Sequence, residues 1–568
     1  MIDQNITLTI VSCVAVMATV AVISYLKTKD DTNTTDGYFL AGRGLSGIFI
    51  AGSLLLTNLS AEQLIGLNGS AYGYNLSSMA WEVTAAVSTV FMAFIFLPRY
   101  LAGAFTTLPE FLNSRFDDEV RRYSVVLFML GYGFVTIPSV LYSGSVAVMR
   151  LFDVPTILNV SYFQGLAITV ICIGAIGSVY AVWGGLKAVA VSDTLNGVGL
   201  LIIGLLVPIL GLVALGSGDF FDGLQTLATT KTEKLNAIGS KSDPTPFSTL
   251  FTGMIFANLF YWCTNQYVIQ RTLGAKNLAE GQRGVLFSGF FKTLVPFLMM
   301  IPGVIAFHLY GPELSSIDQA YPQLIKDVLP VYLTGFFLAV LLGAVFSSFN
   351  SLLNSAATLF CLDIYAPLKG GSVSDRQLVD VAKIASIIIA IFSFFVAPLL
   401  HFAPEGLWQI IRIFTGFYNI PIVVIVLVGL FTQRTPAIGA KIVIIFHVIT
   451  YGIVRFALKD VVQIHFLHLY AILFIVEVMI MLVAGWLKPA ETPWRYKTSN
   501  KVDLTPWRFA KPVAVTLLSA VVGLYLLFSP IGIVENTYSL LFKVLISTLV
   551  VGNLGVWFTA LKNTSLRL

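Results

Sequence analysis

The sequence predicts an all-α polytopic membrane protein, arranged as an inverted repeat of two five-helix units with one span before them and about four after. Three observations carry that expectation. The 568 residues are 57% hydrophobic and only 11% charged, with a mean hydropathy of +0.85. Apolar runs near the ~20 residues that a bilayer requires recur fifteen times along the chain. Two of those runs are interrupted by clustered polar residues, and five spans begin at each interruption. An odd number of spans per repeat inverts the second copy, and paired broken helices are the sequence mark of a midplane binding site in secondary transporters.

The spans are expected at 5–26, 45–70, 76–98, 123–149, 160–182, 188–215, 248–267, 285–310, 331–363, 384–401, 406–432, 442–458, 467–487, 512–531 and 536–561. They divide the chain into an N-terminal span and link (1–35), a first five-helix repeat (36–215), an outer loop (216–247), a second repeat (248–432) and accessory spans (433–568). Orientation follows the Lys and Arg count. With the N-terminus outside, 24 of the 34 fall on the cytoplasmic side, and the C-terminus is cytoplasmic too. The net charge of +5 is thus topological and implies no nucleic-acid partner. The first residues are acidic or polar and Lys27 and Lys29 follow the apolar run, so the N-terminal segment reads as a retained span rather than a cleaved signal. Cys13, Cys172, Cys263 and Cys361 lie in apolar segments without paired spacing and read as buried thiols.

In chain order, the polar link after the first span contains GYFLAGR, with the Gly spacing of a structured turn. The stretch Leu54–Gly73 then sets Asn58, Ser60, Glu62, Gln63 and Asn68 inside apolar sequence, where each must face protein, a cavity or a solute. The next span carries Trp81 beside Glu82, an intramembrane carboxylate. The basic loop 99–122 lies on the inner face. A Gly184–Gly185 turn precedes the span that holds Asp193 and Asn196. There the carboxylate either guides a departing cation or caps a helix end. Residues 216–247 form an outer cover.

The second interruption, ANLFYWCTNQYVIQRTLGAK, holds Asn258, Thr264, Asn265 and Gln266 with Tyr261 and Trp262 alongside, and its ANL echoes TNL at 57–59. Lys292 follows within a span, a position that demands a partner or a cavity. In GAVFSSFNSLLNSAATLF, the hydroxyls of Ser347 and Ser348 stand at adjacent positions. With carbonyls freed at the broken helix they suit a hard monovalent cation. Finally, Trp408, Gln409, Arg412, Thr415 and Asn419 line a helix interrupted near Gly416 and Pro421. Arg412 wants an anion or a carboxylate there.

Other function classes fit less well. A channel needs a continuous polar pore, a sensor needs a signalling domain, and an enzyme needs a motif. The chain has no GxxxxGK[ST] and no HExxH. His465 and His468 lack a third ligand for a metal. No cofactor is expected, and ion coupling is the economical energy source.

The runs GYFLAGR, SLLLTNLSAEQLIGLNGSAYG, WEVTAA, YAVWGGLKAVAVSD, ANLFYWCTNQYVIQRTLGAK, KTLVPFLMMIPG and AVFSSFNSLLNSAATLFCLDIY, in order over about 36–455, resemble the bacterial sodium/sugar symporters. These are the sodium/galactose-type transporters of the sodium/solute symporter family. The resemblance implies a LeuT-like fold in a bacterial inner membrane and import of a sugar with sodium by alternating access. It implies sodium on the carbonyls of Leu56, Leu59 and Ala344 and the hydroxyls of Ser347 and Ser348, with Asp193 on the exit route. Sugar hydroxyls would meet Gln63, Glu82, Asn258 and Lys292. Tyr261 would be the inner gate, and Leu67, Trp81 and Trp408 the outer lid. Sugar, sodium and the bilayer are the partners implied, without an obligate protein partner.

The sequence departs from that pattern at Arg412, where the family has a sugar-contacting Gln, at Ala85, where it has Ser, and at Leu67 and Trp81, where it has Met and Tyr. The expectation is a modified or acidic sugar held partly by Arg412. The alternative is an Arg412–Glu82 salt bridge with a neutral hexose. The last span also has no counterpart in the fourteen-span galactose carrier.

Overall fold

A computed structural model describes residues 4–28, 35–59, 61–152, 154–314, 317–370, 373–402, 407–458, 460–496, 498–535 and 538–565; side chains at 4–6, 28, 35, 61–62, 150–151, 180–185, 318, 331, 407–410, 412–413 and 563–565 lie outside this description. The described chain is helical, with thirteen helices long and apolar enough to cross a membrane and a fourteenth crossing made of a bent pair. The fifteenth expected span, at 248–267, is too polar to pass that test. It forms a second broken helix at 253–273.

The order is α1 (Gln4–Thr28), then α2 (Gly47–Asn58) and α3 (Ala61–Gly73), the bent pair. Next come α4 (Met79–Phe91), α5 (Asp118–Gly131), α6 (Ile137–Phe152) and α7 (Tyr162–Leu215). The second half holds α8 (Gly253–Leu259) and α9 (Gln266–Leu273), the other broken helix, then α10 (Leu278–Val295), α11 (Ile301–Tyr310), α12 (Val331–Thr358), α13 (Asp375–Leu399) and α14 (Leu407–Phe431). Four accessory helices follow: α15 (Ala437–Gly452), α16 (Phe466–Leu487), α17 (Ala510–Leu527) and α18 (Leu540–Ser565).

The backbone of α7 is helical throughout Tyr162–Leu215, against the two spans expected at 160–182 and 188–215. Packing resolves the difference. A Cβ added to Gly177 would meet Phe349 at 3.0 Å, and one added to Gly199 would meet Val340 at 2.8 Å. On a straight helix residues 177 and 199 stand about 33 Å apart, whereas 349 and 340 of α12 stand only about 14 Å apart. The arms of α7 are therefore not collinear, and the stretches Tyr162–Val179 and Leu186–Leu215 count as two spans.

Burial separates core from periphery. The α12 crossing is 89% buried, whereas α18 shows no buried residue in its apolar window and touches the rest through α17, with Trp557 Nε1 donating to Thr516 Oγ1 at 2.9 Å. At one end of the bundle the two broken helices are tied together. Leu45 N donates to the Gly274 carbonyl at 3.0 Å and Lys276 N to the Leu45 carbonyl at 3.1 Å. The GYFLAGR turn makes this approach through three successive left-handed residues, Ala41, Gly42 and Arg43, and Arg43 caps the Leu273 and Ala104 carbonyls.

Candidate ion and solute site

The α2–α3 pair bends by 59°. Leu59, at φ −81° and ψ 80°, leaves the helix there while its N–H still reaches the Leu55 carbonyl at 2.8 Å. Carbonyls just before such a break lose their i+4 donors. Ser348 on α12 supplies one substitute, its hydroxyl lying 3.4 Å from the Thr57 carbonyl. Leu56, Leu59 and Ala344 are fully buried here, and Ser347 and Ser348 nearly so. The Ser347 hydroxyl makes no hydrogen bond among the described residues. A buried orphan oxygen beside freed carbonyls fits a hard cation taken up as cargo.

Below this cluster lies Asp193 on α7. Its Oδ2 accepts from Ser53 Oγ at 2.6 Å, and Ser347 stands close enough to act on the carboxylate. Arg271, fully buried on α9, donates through Nε to Ser53 Oγ at 3.0 Å, through one terminal nitrogen to the Tyr267 carbonyl and through the other to Ser351 Oγ. Ser351 in turn donates to the Ser347 carbonyl at 2.5 Å and sits 3.3 Å from Thr57 Oγ1. Carboxylate and guanidinium thus meet through one serine, joining α2, α7, α9 and α12. The span expected at 248–267 stops short of Arg271, whereas the helix continues to Leu273 and carries it inward. The signal was present, since Arg271 follows Tyr267 by one helical turn.

Beside the ion cluster opens a cavity of about 170 Å³ between the two broken helices, α4, α12 and α14. Gln63, Glu82, Asn258 and Tyr261 line it, together with Trp81, Trp262 and Asn419. Thr57 and Ser348 line it as well, so cavity and ion cluster share a wall. Two wide helical turns, Tyr132–Thr136 and Phe260–Thr264, contribute to the lining. Such turns recur at functional positions in helices.

Lys292 is not on that surface. It forms a buried salt bridge with Glu82, whose other oxygen accepts from Gln63 Nε2 at 3.2 Å. Among the described residues it is Lys292 on α10 that pairs with Glu82, the carboxylate for which the sequence offered Arg412 as an alternative partner. The Arg412 and Trp408 side chains, like Ser60 and the Glu62 side chain, lie outside the described residues. Asn258 Nδ2 donates to Thr84 Oγ1 at 2.9 Å, a partner that sequence reasoning missed. Tyr261 packs edge-on against Trp262 and Tyr267, at 5.7 and 5.8 Å between ring centres. Trp81 stacks on Phe466 of α16 at 6.5 Å, and Leu67 is buried in α3. His465 caps α16 through the Leu467 N–H, and His468 bonds Thr252 Oγ1 at 2.9 Å, so both serve local structure.

The second break is closed by protein. Tyr132 Oη donates to Asn265 Oδ1 at 2.5 Å and accepts from Tyr267 N at 3.3 Å, while Asn265 N reaches the Phe260 carbonyl at 2.9 Å.

Comparison with known proteins agrees with this geometry. The sodium:solute symporter family model matches residues 38–447. The chain is 46% identical to the uncharacterized symporter YidK of Escherichia coli, across 91% of this chain and 90% of that one. It is 32% identical to the sodium/glucose cotransporter of Vibrio parahaemolyticus (73% and 78% covered) and 30% identical to human sodium/myo-inositol cotransporter 2 (73% and 64%). A sodium-coupled sialic acid symporter, solved outward-open with substrate, shares the fold with a TM-score of 0.74 at 22% identity, over 85% of this chain and 99% of that one. With two broken helices around a buried polar cavity and a family model over most of its length, the chain belongs to the sodium:solute symporter family and is a multi-pass, sodium-coupled solute symporter.

Proposed function

We propose that the protein imports a neutral polyhydroxylated ring, a hexose or a cyclitol, together with sodium. The observation that carries this reading is the Lys292–Glu82 salt bridge. Glu82 is the one charged group among the described lining residues, and its neutralisation leaves a cavity of amides, hydroxyls and aromatic faces. Carboxamides complement a ring of hydroxyls, and aromatic faces complement its C–H surface. The glucose and myo-inositol cotransporters among the relatives support the same class.

In this reading Gln63, Glu82 and Asn258 hold solute hydroxyls, and Lys292 fixes Glu82 from behind. Tyr261 closes the inner side, while Leu67, Trp81 and Trp408 close the outer. Sodium binds the carbonyls of Leu56, Leu59 and Ala344 and the hydroxyls of Ser347 and Ser348, then leaves past Asp193. Coupling requires only that sodium favour the state whose cavity binds solute. Thr57 and Ser348, shared by both sites, are where that preference is transmitted. The Lys and Arg asymmetry supports an N-terminus outside and a C-terminus inside, and the Escherichia coli relative supports a bacterial inner membrane.

An acidic sugar is the second reading, favoured by Arg412 standing next to Ile411, which lines the cavity. Uptake of labelled neutral and acidic sugars and cyclitols into proteoliposomes, with and without an inward sodium gradient, tests both. Sodium-stimulated uptake of neutral rings that Ser348→Ala shifts to higher sodium concentration is the expected result. Uptake confined to acidic sugars overturns it.

A further inference from the structure

Outside the two sites, α15 and α16 bury a second titratable pair, His447 and Glu477, each with no exposed surface. His447 Nδ1 lies 2.5 Å from Glu477 Oε1, and Nε2 lies 2.8 Å from the Gly416 carbonyl of α14. A carbonyl only accepts, so Nε2 carries hydrogen, and a single further proton lies between Nδ1 and the carboxyl group. The pair is therefore neutral overall and aims one fixed donor at α14.

Gly416 takes that bond one residue before the carbonyl that loses its helical donor. Pro421 has no N–H to give to the Phe417 carbonyl four residues back, and the Ile420 N–H is drawn to Asn419 Oδ1 at 2.7 Å. The helix ladder is thus interrupted where Thr415, Tyr418 and Asn419 line the solute cavity. The approach is close. Tyr451 stacks on His447 at 5.5 Å, and a Cβ added at Gly416 would strike its hydroxyl at 2.1 Å.

We propose that His447, held in one tautomer by Glu477, is the positioning residue that fixes the interrupted segment 415–421 of α14 in its solute-binding geometry. The accessory helices then set the affinity of a cavity that they border chiefly through Tyr470. The consequence for solute binding rests on the function proposed above; the consequence for the segment itself does not.

Two substitutions at one position separate the bonds. In His447→Gln the amide nitrogen occupies the place of Nε2 and keeps the Gly416 bond. In His447→Asn the amide occupies the place of Nδ1, keeps Glu477 and cannot reach Gly416. Amide hydrogen exchange over 415–421 is read first, in the purified full-length protein without added solute. Exchange about tenfold faster in His447→Asn, and near wild type in His447→Gln and Glu477→Gln, is expected. Uptake kinetics follow, with the neutral ring that the wild type transports best. His447→Asn raises the solute KM about five- to tenfold with maximal rate within about twofold, and Glu477→Gln, whose amide still donates to Nδ1, leaves both near wild type. Equal exchange in the Asn and Gln variants overturns the proposal, as does a loss of maximal rate at unchanged KM. A wild type that takes up no member of the panel overturns the proposed function, while the exchange comparison still decides the role of His447.

Discussion

The two broken helices occupy matching places in the two repeats and satisfy their freed backbone in opposite ways. At Leu59 the described side chains fall short: Ser348 is 3.4 Å from the Thr57 carbonyl, and Ser347, which stands near the Asp193 carboxylate, makes no well-aligned hydrogen bond among the described residues. At Asn265 the break is filled, since Tyr132 contacts both the Asn265 side chain and the Tyr267 N–H, and Gln266 Oε1 accepts from Leu108 N at 2.8 Å. A break that protein completes is a hinge or a gate. One that protein leaves incomplete is a binding site, because buried polar groups without partners cost free energy that only a ligand can return. The contrast supports the proposed division, with the cation at the first break and inner closure at the second.

The largest expected effect comes from removing the support of the first break. Gln63 is held there by Glu82, and Glu82 by Lys292. Lys292→Met leaves a buried carboxylate unpaired, which costs about 3–5 kcal/mol and lowers thermal stability in detergent accordingly. Adding Glu82→Gln removes the stranded charge and restores most of the stability, while solute uptake stays lost. A double variant that regains uptake would show that the pair is only a packing element.

Ser348→Ala sharpens the contrast without disturbing the fold. Its hydrogen bond to Thr57 is long, so the loss of stability is expected within about 1 kcal/mol. Sodium half-saturation, measured as solute uptake against sodium concentration, rises on the order of tenfold or more, because a hydroxyl ligand of a charged group is worth about 1.5–3 kcal/mol. An unchanged sodium dependence would move the ion away from the first break.

The opposite manipulation addresses the second break. Tyr132→Phe removes a donor and an acceptor from the Asn265 turn and is expected to cost about 1–2 kcal/mol. If that break is a gate, sodium-independent exchange of labelled solute across proteoliposomes rises at the same time. Destabilisation without leak would make it a purely structural kink.

The fold was readable from sequence because a bilayer imposes span length and forbids unpaired backbone, so fifteen apolar runs and two polar interruptions are written in composition. The polar cluster at 58–68 was legible for the same reason. Pairing was not. Lys292 lies 210 residues from Glu82, and nothing local distinguishes it from Arg412 as a partner. Arg271 was misplaced because a basic residue at the end of an apolar run reads as a loop charge under the Lys and Arg count. Only the packing of α9 against α2 and α12 turns it inward. His447 and Glu477 sit in different accessory spans, and neither span carries a periodic signal that would join them.

The smallest expected effect lies at the seam between the breaks. The Thr84 hydroxyl donates to the Ala80 carbonyl and accepts from Asn258 Nδ2, which fixes the Asn258 amide with its oxygen free for the cavity. Thr84→Val keeps the shape and removes the acceptor. The amide then turns among alternatives, and a solute hydroxyl meets the correct face only part of the time. Solute KM is expected to rise about two- to fivefold, the equivalent of roughly one neutral hydrogen bond, with sodium half-saturation and thermal stability nearly unchanged. The separation matters because Asn258 precedes the filled break whereas the proposed sodium ligands flank the open one. A shift in sodium dependence from this substitution would mean that the two breaks do not divide ion and solute between them, and that the cavity responds as one cooperative polar network.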